Sequence, residues 1–150
     1  SGESYRTFVG DTGGHRRTVQ VKYFELMRDA RIVVTANPSE WTGDFRTYEA
    51  LATGALVFVD ELHAPTPYPL RDGEHLIVYS THDKAGFFRK LYFYLDHPAE
   101  AARVAANGLA FVLKYHRSLT RVDYVLRSVH ELLLLQQDDD DDREVPPPPA

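Results

Sequence analysis

The sequence predicts an α/β fold: a parallel sheet of about four strands, covered by helices on both faces in three layers and closed by C-terminal helices. Three observations predict it. Short β-branched apolar segments alternate with segments of helical periodicity. Segments such as "RIVVTA" (Arg31 to Ala36) are apolar on both faces, as strands covered on both sides are. After the last such segment the chain is helical throughout. Strands that alternate with helices require right-handed crossovers, and those give a parallel sheet.

The elements follow in order. "YRTFV" (Tyr5 to Val9) reads as a first strand and "GDTGGHRR" (Gly10 to Arg17) as a glycine-rich loop. Val21, Phe24, Leu26 and Met27 stand at near-helical spacing, which predicts a helix from about Thr18 to Asp29. Arg31 to Ala36 reads as a central strand, and "NPSEWTG" after it as a loop. In the next helix Phe45, Tyr48 and Ala52 share one face, and Gly54 suits the C′ position that ends it. "ALVFVD" (Ala55 to Asp60) is a second buried-type strand. "ELHAPTPYPLRDGE" holds three prolines and reads as a long surface loop, and "HLIVYS" (His75 to Ser80) is the next strand. Helices are expected over His82 to Asp96, Pro98 to His116 and Leu119 to Leu135. Pro98 fits a first helical turn, where its missing N–H costs nothing. Phe87, Phe88, Leu91, Tyr92, Tyr94 and Leu95 read as a helix packed on the sheet.

Composition bounds the function. The 150 residues suit one domain, and 43% hydrophobic content supports a core. The net charge of −5 resides in the tail, where Asp138 to Asp142 and Glu144 face only Arg143. Residues 1–137 are formally neutral and form the expected domain; residues 138–150, acidic and then proline-rich, are expected to be disordered. A neutral body without a basic stripe argues against nucleic acid as a partner. Absent cysteine rules out disulfides and thiolate metal sites, and no apolar run reaches membrane-spanning length. Seven histidines are scattered without a paired spacing, so no metal is expected. His116 reads as a cation at a helix end, where the dipole favours one. With no signal segment a cytoplasmic location is favoured. The absence of an initiating methionine suggests a piece of a longer polypeptide.

Ligands of parallel α/β folds bind beyond the carboxyl ends of the strands. There "TGD" (Thr42 to Asp44) opens a helix, and a helix start offers unpaired N–H groups to an anion. Gly43 would let a ligand approach the backbone, whereas Asp44 suits an ordinary N-cap and opposes an anion. Arg46 in the first turn runs against the helix dipole and is a fork for phosphate oxygens. Glu49 could accept hydrogen bonds from ribose hydroxyls. The competing reading is a surface pair of Arg46 with Glu49, worth a few tenths of a kcal/mol. "GDTGGHRR" carries no phosphate-loop fingerprint and reads as a plain turn.

"FRTYEALATGALVFVDE" resembles the Arg-x-Tyr/Phe-Glu-Ala-Leu-Ala-x-Gly pattern of the C-terminal domain of GT-B glycosyltransferases, glycosyl transferases group 1 type. "YFELMRDARIVV" resembles the helix and strand before that motif. "RDGEHLIVYS", "LYFYLDHPAEAARVAANG" and "KYHRSLTRVDYVL" resemble later segments, in order, over roughly Tyr23 to Val129. The resemblance implies a Rossmann-like half that binds a nucleotide-diphosphate sugar. It implies that Glu49 takes the ribose hydroxyls, and that Arg46 and the backbone from Gly43 to Thr47 face the diphosphate without a metal. Retaining members carry another glutamate with seven residues between it and the ribose-binding one. Here Trp41 holds that place and Glu40 precedes it, so Glu40 reaches the sugar only if the loop adjusts. The family's enzymes need an N-terminal acceptor domain that this chain lacks. The expected function is therefore the donor-binding half of a glycosyltransferase, with a catalytically inactive interaction module as the alternative.

Overall fold

The computed structural model describes residues 21–37, 45–62 and 66–141, with side chains as far as Gln136. Among these residues the elements are α1 (Val21–Asp29), β1 (Ile32–Val34), α2 (Phe45–Ala52), β2 (Leu56–Val59), β3 (Ile77–Val78), α3 (Lys84–Asp96), α4 (Pro98–Tyr115) and α5 (Ser118–Asp141). The expected strand Tyr5–Val9, the glycine-rich loop and the start of the first helix lie outside the described residues.

The sheet is parallel, in the order β1-β2-β3, with Ile32 opposite Leu56 and Phe58 opposite Ile77. This is the α/β arrangement that the alternating pattern predicts. All four residues of β2 are buried. The β1 segment reads in sequence as a central strand, but among the described residues it forms the edge and β2 the centre. Ile32 and Val33 are half-buried there and Val34 is exposed.

Successive β2 side chains point to opposite faces, and each face has its own core. Val57 and Val59 pack with Ala50, Leu51, Leu76 and Val112, which brings α2 and the end of α4 onto one face. Leu56 and Phe58 pack with Ile77, Val104 and Ala105, and with Phe87, Leu91 and Tyr94 of α3, on the other. Each fully buried leucine or phenylalanine contributes roughly 1.5–3 kcal/mol of transfer free energy. The six α3 residues expected against the sheet therefore divide. Phe87, Leu91 and Tyr94 face it, while Phe88, Tyr92 and Leu95 are exposed. A 3.6-residue turn puts the second trio on a different stripe of the helix.

Helix boundaries follow local chemistry. Gly54 adopts φ +81° and its N–H donates to the Leu51 carbonyl at 3.1 Å, closing α2 as a left-handed C′ residue. Asp83 caps α3 by accepting from the Gly86 N–H at 2.8 Å. Pro98 opens α4. Helix α4 links the two faces, with Val104 in one core and Val112 in the other. Gly108, between them, lies against the His75 carbonyl, where any Cβ would collide. Helix α5 continues to Asp141, beyond the expected end at Leu135.

Candidate functional site

The carboxyl ends of the three strands are tied together by polar groups. Thr35, just past β1, donates its N–H to the Phe58 carbonyl at 2.9 Å. The Tyr79 hydroxyl, just past β3, donates to the Thr35 carbonyl at 3.0 Å. Asp60, just past β2, accepts from the Asn37 backbone N–H at 2.9 and 3.0 Å and from its side-chain Nδ2 at 2.6 Å. Asn37 therefore leaves β1 in a direction fixed by a carboxylate on the neighbouring strand. Its own Oδ1 is buried without a partner among the described residues. Burial, and secondarily the Asp60 charge, push the Tyr79 hydroxyl pKa up, so Tyr79 stays a donor.

Helix α2 begins at Phe45, beyond this clamp. Arg46 stands exposed on its first turn. Thr47 is only 2% exposed, and its Oγ1 has no hydrogen-bond partner among the described residues. A buried hydroxyl of that kind is uncommon and calls for a partner. Glu49 is half-buried on the next turn, and Tyr23 of α1 donates its hydroxyl to Glu49 Oε2 at 3.2 Å. The contact to Tyr23 ties the Glu49 carboxylate to α1. Gly43 and Glu40, the other two expected site residues, lie outside the described residues.

The opposite side of α2 is braced from behind. The Tyr48 ring lies 4.9 Å from the His116 ring, and burial raises its hydroxyl pKa against the opposing effect of Arg121. His116 Nε2 lies 3.0 Å from the Tyr68 carbonyl, and since a carbonyl only accepts, Nε2 carries the proton. Its Nδ1 is buried without a partner among the described residues. Arg121 donates to the Pro67 carbonyl at 3.2 Å. Together His116 and Arg121 hold the proline-rich loop, where Tyr68 adopts φ 56°.

His116 is thus not the helix-end cation that its position suggests. Burial first, then Arg121, lower its pKa against the Tyr68 hydrogen bond. His75 is alike: burial lowers its pKa, its Nδ1 accepts from the Arg71 N–H at 3.2 Å, and its ring stacks on Phe111 at 4.0 Å. The unfolded imidazoles take up protons near pH 6.5, while the folded ones resist until lower pH. The unfolded state then binds more protons in that window, so this stability is fully present above about pH 6.5 and is lost as pH falls through the folded values. We expect the urea midpoint to drop between pH 7.5 and 5, and to drop less in His116→Gln. Parallel curves for the two proteins would contradict it.

Among the described residues no cluster of three or more histidine or acidic side chains could hold a metal ion, and no helix is long and apolar enough to cross a membrane. Tyr23, Asn37, Asp60 and Tyr79 escape the sequence reading. Asp60 carried a usable signal, a charged residue directly at the end of a buried strand on the ligand-binding edge. Its pairing with Asn37 spans 23 positions and becomes visible only in the fold.

No curated protein matches the chain. Residues 2–127 match the family described as glycosyl transferase-like, a span that takes in every element from α1 into the first part of α5. With most of its length matched and a parallel α/β sheet of the kind found in the C-terminal domain of GT-B enzymes, the chain belongs to the glycosyl transferase-like family.

Proposed function

We propose that this domain binds a nucleotide-diphosphate sugar at the carboxyl ends of its strands and is the donor half of a glycosyltransferase. The observation that carries the reading is Glu49, an acceptor carboxylate on α2 whose direction is set by the Tyr23 hydroxyl of α1. Vicinal ribose hydroxyls are donors that such a carboxylate takes up. The start of α2 supplies the complementary chemistry. Its N–H groups and Arg46 meet the diphosphate and the charge that grows on it as the glycosyl bond breaks. Thr47 adds a hydroxyl in the same turn. Gly43 admits the phosphate to the backbone, and Glu40 reaches the sugar only if the segment before α2 adjusts. The Asn37–Asp60 clamp supports the site by fixing the direction in which the chain leaves β1 toward α2.

In this reading the acceptor and the base that activates it come from a separate N-terminal domain, and no metal or cofactor takes part. Calorimetric titration with UDP, GDP and ADP, alone and as sugar conjugates, tests the proposal. At least one of them should bind, and the conjugate should differ from its parent diphosphate. No heat from any of them at millimolar concentration would contradict it. Binding without transfer in the protein joined to its acceptor domain would favour a catalytically inactive module.

A further inference from the structure

A groove of about 530 Å³ runs between the second half of α4 and the end of the proline-rich loop. His75, which precedes β3, lines it, so it opens beside the amino end of that strand, away from the carboxyl-end site. Asn107, Ala110, Phe111 and Lys114 form its α4 wall, since steps of three and four share one helix face. The facing wall, from Tyr68 to His75, is fixed before any ligand arrives. His116 and Arg121 hold its start, and the Tyr68 ring stacks on Tyr115 at 4.6 Å. The Arg71 carbonyl accepts from the N–H groups of Glu74 at 3.3 Å and His75 at 3.0 Å. A site whose walls are already set loses little conformational freedom on binding.

The lining combines aromatic rings with groups that donate and accept side by side. Phe111 and Tyr115 are half-buried and Tyr68 is 38% exposed. Asn107 carries a donor and an acceptor on one exposed amide. The Arg71 guanidinium lies 3.3 Å from the Glu74 carboxylate. His75 is only 6% exposed, and its Nδ1 takes the Arg71 N–H, which leaves the ring proton on Nε2. Glu74 Oε1 stands 3.5 Å from that Nε2, too far for a good hydrogen bond. An anion is a poor occupant, because Glu74 offsets the Arg71 charge, and Lys114 lies over the Tyr115 ring at 4.8 Å. A sugar ring matches both parts of the lining. Its C–H face lies against aromatic rings, and each hydroxyl both donates and accepts, as the amide, the Arg71–Glu74 pair and the imidazole N–H require. We propose that this groove binds a neutral oligosaccharide, at a site separate from α2 and independent of nucleotide binding there.

Amide chemical-shift mapping of the full chain tests it, with maltose, cellobiose, lactose and N,N′-diacetylchitobiose each added to tens of millimolar. At least one sugar should shift the amides of Arg71 to His75 and Asn107 to Tyr115 and leave those of α2 in place. Asn107→Ala and Glu74→Ala, both at exposed positions, should keep the far-ultraviolet spectrum and each weaken that sugar about 3- to 10-fold, as the loss of a polar hydrogen bond does. Saturating UDP, GDP or ADP should leave the sugar affinity unchanged, so failure at one site is distinguishable from failure at the other. No shift with any of these sugars overturns the proposal, as do shifts confined to α2 or undiminished binding in both variants. Displacement of the sugar by a nucleotide overturns it too. So does inorganic phosphate that shifts the same amides at lower concentration than any sugar, the mark of an anion site.

Discussion

Gly108→Ala is expected to destabilise the domain by about 2 kcal/mol or more, although alanine is the better helix former by about 1 kcal/mol. The new methyl group would collide with the His75 carbonyl and stand 2.8 Å from Leu51 Cδ2. Neither neighbour can yield cheaply. His75 is fixed by its N–H to the Arg71 carbonyl at 3.0 Å and by its ring on Phe111. Leu51 is fully buried between α2 and β2. Helix α4 would have to lift from the sheet, loosening both cores at once. Asn107→Ala, on the exposed side of the same turn, is the control and should stay within about 0.5 kcal/mol of the parent. Equal urea midpoints for the parent and Gly108→Ala would show that α4 does not pass His75 as described.

Asp60→Ala should cost about 2 kcal/mol, since it strips one charged acceptor from two Asn37 donors that remain partly buried. The loss should be local as well as global. Hydrogen exchange at Asn37 and in the first turn of α2 should accelerate more than in α4. Nucleotide affinity should fall with it, because the clamp orients the chain that leads to α2. Asp60→Asn retains one acceptor oxygen and should lie between the two. Unchanged exchange at Asn37 would mean that the clamp does not position this segment.

Most of the layered architecture was legible in the sequence because it rests on local signals. "ALVFVD" is apolar at nearly every position, so it had to be covered on both faces, and β2 is. Gly54 and Pro98 mark helix ends by backbone chemistry alone, and both behave so. Exposure was harder to read. The aromatic run of α3 looks uniformly core-forming, yet only the Phe87, Leu91 and Tyr94 stripe meets the sheet. His116 was misread because the dipole argument is local, whereas its pKa is governed by burial among Tyr48, Phe111 and the Tyr68 carbonyl. For the proposed site, the sequence singles out Arg46 and Glu49 through an ordered motif. The partners that give Glu49 and Asn37 their geometry, Tyr23 and Asp60, sit 26 and 23 positions away and leave no trace in local spacing.

The ribose contact is the centre of the functional proposal, and a two-by-two titration tests it most directly. The tightest-binding nucleoside diphosphate and its 2′,3′-dideoxy analogue are each titrated into the parent and Glu49→Ala proteins. Removing the hydroxyls should weaken binding to the parent about 10- to 100-fold, the range expected for hydrogen bonds to a charged acceptor. Glu49→Ala should bind both ligands with the same reduced affinity. A full dideoxy penalty that persists in Glu49→Ala, or no penalty in the parent, would contradict the assignment of Glu49 to the ribose.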